Sequence, residues 1–250
     1  MEDDLSSIRI GTCSWKYGSW KDLVYTASRG INFLEEYSKK YDTVEIDQWF
    51  WSLFGEAKVS LPEPHTVAEY RDSVPQDFVF TVKVPNSITL THFYRKNPSE
   101  PLKPNPHFLS KNFFLEFIER LEPLRSRLGP LMFQFAYLNR EKMPSLRAFL
   151  DRLHAFFEAA PAGFQYAIET RNPNYLQQEF FDFLGEHRLG FVFLEGYYMP
   201  HIGEVFERCD TSPADPPRPS GTQHFEGTAL VCAHRHGQRQ HVPDGRALQQ

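Results

Sequence analysis

In the stretch TVEIDQWF, residues 43–50, Glu45 and Asp47 alternate with Val44 and Ile46. A strand with this pattern sends two carboxylates to one side and two branched apolar side chains to the other. The pattern returns further along the chain. Thr81 and Lys83 alternate with Phe80, Val82 and Val84; Gln134 lies between Phe133 and Phe135; Glu169 and Arg171 share one side of a strand whose other side holds Ile168. In each case the polar residues come late in the strand. Brought together, such groups could exchange protons with a substrate and stabilise charge developing on it. Glu45 or Glu169 would be the base, and Lys83 with Arg171 would hold an anion. A desolvated Lys83 is also a candidate for a Schiff base. The alternative is a structural network in which five charges of both signs neutralise one another.

Two loops add candidates. SWKYGSWKDLVY, residues 14–25, interleaves Trp15, Tyr17, Trp20 and Tyr25 with Lys16 and Lys21. Aromatics with cations suit stacking on a base or sugar; the same rings could instead seal the top of the fold. The segment 85–110 holds five prolines and little periodicity. A loop of that length is functional or disordered. It contains Thr91 and His92, and His92 could act as a proton donor near neutrality. Thr91, Gln134, Asp47, Trp15, Tyr17 and Trp20 are the substrate-binding candidates.

Other chemistry is poorly supported. Glu45, Asp47 and Glu169 could hold Mg2+ or Mn2+, but Lys83 and Arg171 would repel a cation, so no metal is assigned. The His-Arg-His at 234–236 reads as incidental. No G-x-G-x-x-G follows the first strand and no G-x-S-x-G is present, so the cofactor stays unknown. Cys13 reads as a small buried core thiol.

Strands and helices must alternate to position these residues. Period-2 segments at 8–15, 43–50, 78–84, 130–137, 164–172 and 190–198 predict six strands. Period-3.6 segments at 31–41, 64–74, 113–124, 145–158 and 179–189 predict helices, with Ser145 as an N-cap, Pro64 in a first turn and Pro123 ending a helix. Such alternation predicts an α/β fold with a parallel sheet, either doubly wound or a (β/α) barrel. A barrel gathers late polar residues at one mouth, where barrel enzymes work.

The 250 residues include 23 Phe, enough for a sizeable core. A net charge of -5 and a pI of about 6.1 provide no global basic field for nucleic acid. Three scattered cysteines fit a reducing compartment. An acidic start without an apolar run, and no run near the ~20 residues that span a bilayer, predict a cytoplasmic protein with no membrane partner.

Taken together, IGTCSWKYGSW, TVEIDQWFW, FVFTVKVP with ITLTH downstream, PLMFQF and AIETRNPNY resemble the YecE-like barrels, domain of unknown function 72. The resemblance runs over about residues 8–211. It implies a (β/α) TIM-type barrel and no particular activity. The family's recurrent polar positions correspond to Glu45, Lys83, Thr91, His92, Gln134, Glu169 and Arg171. Asp47 stands where many relatives have Asn, and Tyr175 where Trp is common. After the sixth strand the resemblance fails: residues 212–250 lack helical period, and only TALVCA, 228–233, could be a strand. This predicts a barrel domain over 1–211 with about six βα units, strands seven and eight missing or replaced, and an atypical, poorly ordered tail. A slipped reading frame near Asp215 and a divergent C-terminus both account for that tail. Open barrel edges would allow self-association.

Three functions follow. The first is an enzyme acting on a phosphorylated or sugar-containing small molecule. The second is a non-enzymatic small-molecule binder or degenerate barrel. The third, disfavoured by the acidic charge, is a nucleic-acid processing or binding protein.

Overall fold

The computed structural model describes residues 8–55, 58–95, 97, 99–196, 198–211 and 230–233. The elements run β1 (Gly11–Thr12), α1 (Phe33–Ser38), β2 (Thr43–Ile46), α2 (Pro64–Asp72), β3 (Val79–Lys83), α3 (Asn86–Thr89), α4 (Lys111–Arg120), β4 (Leu128–Phe135), α5 (Leu146–Phe157), β5 (Tyr166–Thr170), α6 (Gln178–Glu186), β6 (Gly190–Glu195), α7 (Ile202–Arg208) and β7 (Leu230–Ala233). Every neighbouring pair of strands is parallel, and the order in the sheet is the order in the chain. A doubly wound sheet reverses its order at a switch point. Here the order never reverses, so right-handed crossovers place the helices on one face. The fold is an incomplete (β/α) barrel, with β1 and β7 as its edges among the described residues.

The local chemistry explains where elements start. Asn32 accepts from the Leu34 and Glu35 amides at the start of α1, Ser110 caps α4, and Ser145 Oγ accepts from Ala148 N at 3.1 Å. Pro64 stands at the first turn of α2, where its missing N–H costs nothing. Pro123 falls in a 3₁₀ turn, Glu122–Arg127, directly after α4. Gly11 is required because a Cβ there would collide with the Thr43 carbonyl oxygen.

Two apolar layers hold the sheet. The large one lies between sheet and helices. Phe133 on β4 packs against Phe114 of α4 at 5.3 Å and against Phe156 and Phe157 of α5 at 5.5 and 5.1 Å. The small one, Met132, Ala167 and Val192, is fully buried on the opposite face of β4, β5 and β6. It is the interior of the barrel.

Several boundaries depart from the sequence pattern. The first strand is two residues rather than 8–15, because Ile8 and Ile10 stand exposed at the sheet edge. The Pro-rich segment holds a short helix, α3, and is pinned by Asn105, whose amide donates to Ser87 O and Leu90 O at 2.7 and 2.6 Å. Ile202–Arg208 form α7, outside the six strands and five helices that the sequence pattern predicts, with Val205 buried at a helical spacing from Ile202 and Cys209. The seventh place in the sheet is taken by Leu230–Ala233, within the one tail segment that has strand character. The rest of 212–250, and with it the expectation of a poorly ordered tail, lies outside the described residues, as does the His-Arg-His at 234–236. Among the described residues no helix is long and apolar enough to cross a membrane.

Candidate active site at the strand ends

Register brings the polar residues of four strands to one place. Glu45 pairs with Thr81, Lys83 with Met132, and Gln134 with Glu169. Gln134 and Glu169 follow Met132 and Ala167 by two residues, so they occupy the next position toward the strand ends on the same face. The inner apolar layer thus ends in a polar one, at the end of the barrel where active sites lie.

Two ion pairs organise this layer. Lys83 Nζ lies 2.8 Å from Glu45 Oε1, and both side chains are buried. Arg171 Nε donates to Glu169 Oε1 at 3.3 Å, with Glu169 fully buried. The other carboxylate oxygen, Glu169 Oε2, has no hydrogen-bond partner among the described residues, and neither has Oε1 of its lateral neighbour Gln134. Buried acceptors without donors are costly. Two of them lie side by side here, on paired positions of β4 and β5.

The electrostatics favour a bound proton. Burial pushes the Glu45 carboxyl above its ordinary value, with Glu169 and Asp47 adding and Lys83 opposing. Burial also raises Asp47, again against Lys83. For Lys83 burial acts downward, but Glu45, Glu169 and Asp47 outweigh it and hold the ammonium above its ordinary value. Glu45 and Asp47 therefore keep a proton more tightly than isolated carboxyls would. A Schiff base needs a neutral amine, and a protonated Lys83 does not suit that role.

The loop candidates divide. Trp15 is buried, edge-on to Tyr70 at 5.1 Å, and the Tyr25 hydroxyl donates to its carbonyl. Trp20 is half-buried between Tyr17 and Tyr25, at 4.7 and 6.2 Å. These rings seal the top of the fold, and only Tyr17 stays exposed. Its phenol is raised by burial and by Cys13 and Asp47, which places it at the mouth. Cys13 corrects an expectation: it is exposed, not a core thiol. Its strand ends at Thr12, and the residue stands past that end, beside Glu45, Asp47 and Lys83 rather than within the apolar core. Burial of the thiol, then Glu45 and Asp47, push it up, away from a reactive thiolate. Among the described residues no three His, Cys, Asp or Glu side chains gather to hold a metal.

Thr91 is buried, and His92 Nδ1 lies 2.9 Å from its Oγ1. Burial and then Lys142 lower the His92 pKa, with Arg95 adding to this and Glu141 opposing it. It faces a separate cavity of about 260 Å3 between the segment after β3 and the segment after β4.

Three asparagines build the frame. Asn86 Oδ1 accepts from the Ser52 and Leu53 amides at 3.0 and 3.1 Å. Asn105 holds the turn around α3. Asn172 clasps Leu138, accepting from its N–H at 2.8 Å and donating to its C=O at 2.9 Å. Asn172 follows Arg171 directly, so one motif supplies a site residue and the clamp beside it.

The chain matches the family model "Protein of unknown function DUF72" over residues 9–248, beyond the point where the motif resemblance ends. It is 28% identical over 169 residues to UPF0759 protein YecE of Escherichia coli K12, covering 67% of this chain and 50% of that protein. The chain therefore spans about half the length of the curated relatives it matches. A DUF72 family protein from Enterococcus faecalis V583 superposes with a TM-score of 0.53 at 22% identity, over 75% of this chain and 60% of that one. Another, from Thermotoga maritima MSB8, gives 0.53 and 22%, over 75% and 64%. These two likenesses show the fold. By the breadth of the family match, the chain belongs to the DUF72 family.

Proposed function

We propose that the strand-end site binds a small hydroxyl- or amino-bearing molecule of the sugar class and acts on it by proton transfer. The observation behind this reading is the pair of buried, unpartnered acceptors, Glu169 Oε2 and Gln134 Oε1. They call for O–H or N–H donors, which the hydroxyls and amines of a sugar supply without bringing the negative charge of a phosphate beside Glu169. Glu169 takes the proton, Arg171 orients it, and Lys83 stabilises the negative charge left behind. Asp47 and Tyr17, at the rim, contact the ligand.

Binding without turnover is the second reading. It is favoured by the near-balance of the two internal ion pairs, which leaves one uncompensated carboxylate. A nucleic-acid role has less support, since Lys16 is engaged over the Trp15 and Tyr70 rings, at 5.7 and 5.6 Å from their centres, and the net charge of the chain is -5.

The test is incubation of the full chain with a panel of monosaccharides and amino sugars in D2O, followed by NMR. Deuterium entering a ligand carbon, and its loss in Glu169→Gln, supports proton transfer. Binding without exchange supports the second reading. No binding by any member contradicts both.

A further inference from the structure

The cavity beside the site differs from it in chemistry. It is bordered by Thr89, Thr91, His92, Tyr94, Arg95 and Lys142, together with apolar groups. No Asp or Glu is among the described residues that line it. Its volume of about 260 Å3 is below the ~300–1,000 Å3 of whole ligand pockets, yet at ~30 Å3 per water it has room for one oxyanion and several waters.

Its walls offer donors. Thr89 is almost fully buried, and its hydroxyl has no hydrogen-bond partner among the described residues. Lys142 is half-buried and makes no ion pair among the described residues; its backbone is held by Asn139, whose carbonyl and side-chain oxygens both accept from Lys142 N at 3.0 Å. Arg95 donates to Glu100 O at 3.0 Å and lies 3.7 Å from Glu141, which fixes its guanidinium at the cavity wall. The cavity is next to the strand-end site: Tyr94 borders it and stands close enough to Arg171 for the guanidinium to act on its phenol.

We infer that this cavity is an oxyanion subsite, built from Thr89, His92, Arg95 and Lys142, for the phosphate of a phosphorylated ligand. It rests on the proposed function in one respect, that the hydroxyl end of that ligand meets Glu169. The two regions are complementary. Unpartnered acceptors lie at the strand ends, and the Thr89 hydroxyl, Lys142 and the Glu141-paired Arg95 border the cavity. A sugar phosphate presents the matching groups. A free inorganic phosphate would satisfy the cavity alone.

Calorimetric titration of the full chain separates these cases. Inorganic phosphate should bind saturably, and Lys142→Ala and Thr89→Val should each weaken it about tenfold, the loss of one charge-assisted or buried hydrogen bond. Thermal unfolding of both variants verifies that they fold. Glu169→Gln should leave phosphate binding unchanged. A hexose phosphate that binds more tightly than both phosphate and the bare hexose assigns the anion to the ligand; no gain over phosphate assigns it to a separate anion in the same subsite. Phosphate binding untouched by both cavity variants, or none up to about 20 mM, overturns the subsite. In the latter case, bare-sugar binding that still depends on Glu169 leaves the proposed function standing.

Discussion

Lys83 Nζ lies 2.8 Å from Glu45 Oε1, with neither side chain more than a tenth exposed. The two residues come from adjacent strands and meet inside the barrel wall. A buried pair of this kind is a modest stabiliser, because desolvation of both charges offsets most of their attraction. Removing one partner is different. Lys83→Met should cost about 3 kcal/mol or more, since Glu45 then stays buried without its cation. Lys83→Met with Glu45→Met should recover most of that loss. Urea unfolding of the wild type, both singles and the double checks this; a Lys83→Met single as stable as the wild type contradicts it.

Glu169 has the opposite profile. Its Oε2 is buried and unpartnered, so it represents an unfavourable term retained in the folded chain. A Gln oxygen still accepts from Arg171 Nε, whose side chain is partly exposed, so Glu169→Gln should leave stability unchanged or raise it, while ligand binding falls. A site residue that opposes stability is what a functional cavity leads one to expect. A clear drop in unfolding midpoint for Glu169→Gln would instead mark it as structural.

Asn172 tests the frame. Its side chain makes two hydrogen bonds to the Leu138 backbone, and Leu138 borders the cavity. Asn172→Ala leaves a buried N–H and a buried C=O unpaired, at a cost of about 2–4 kcal/mol. Asn172→Asp keeps the acceptor and loses the donor, and should fall between. Equal stability of all three proteins would show that the clasp contributes nothing.

The histidines set an acid-side dependence. Burial, followed by Lys142 for His92 and His154 for His187, lowers both from the ordinary 6.5. The folded chain then binds these protons less well than the unfolded chain. Their contribution is complete above pH 6.5 and is lost as the pH falls through the lowered folded-state values. Glu45 and Asp47 have the reverse sign: raised above 4.5 and 3.8, they stabilise at low pH, and that contribution fades as the pH rises through their raised values. On going from about pH 7.5 to pH 5 the wild type should therefore lose more stability, or gain less, than His92→Gln with His187→Gln, and that difference is the histidine contribution. An unchanged slope in that double variant would contradict the assignment.

Much of this arrangement is legible in the chain because parallel strands translate period 2 into faces. Glu45, Lys83, Gln134 and Glu169 alternate with Val44, Val82, Phe133 and Ile168, and register then places the first set on the barrel interior. Helix starts were equally readable where a capping side chain marks them, as at Ser145. What the pattern could not show depends on contacts distant in sequence. The Asn172–Leu138 clasp spans 34 positions, and Lys142 reaches the cavity only through the turn built by Asn139. Cys13 looked internal by parity, but parity holds only while a strand lasts, and β1 stops one residue earlier. Trp15 and Tyr17 looked alike in the sequence; only packing on Tyr70 separates the buried ring from the exposed one.

The most direct measurement is a binding titration of monosaccharides and amino sugars against the wild type and Glu169→Gln, followed by protein-ligand NMR. The central claim is that Glu169 and Gln134 receive a donor from the ligand. It predicts saturable binding by at least one panel member, with contact shifts at the ends of β4 and β5, weakened about tenfold in Glu169→Gln. Equal affinity in the two proteins, or binding whose shifts avoid those strand ends, would contradict it.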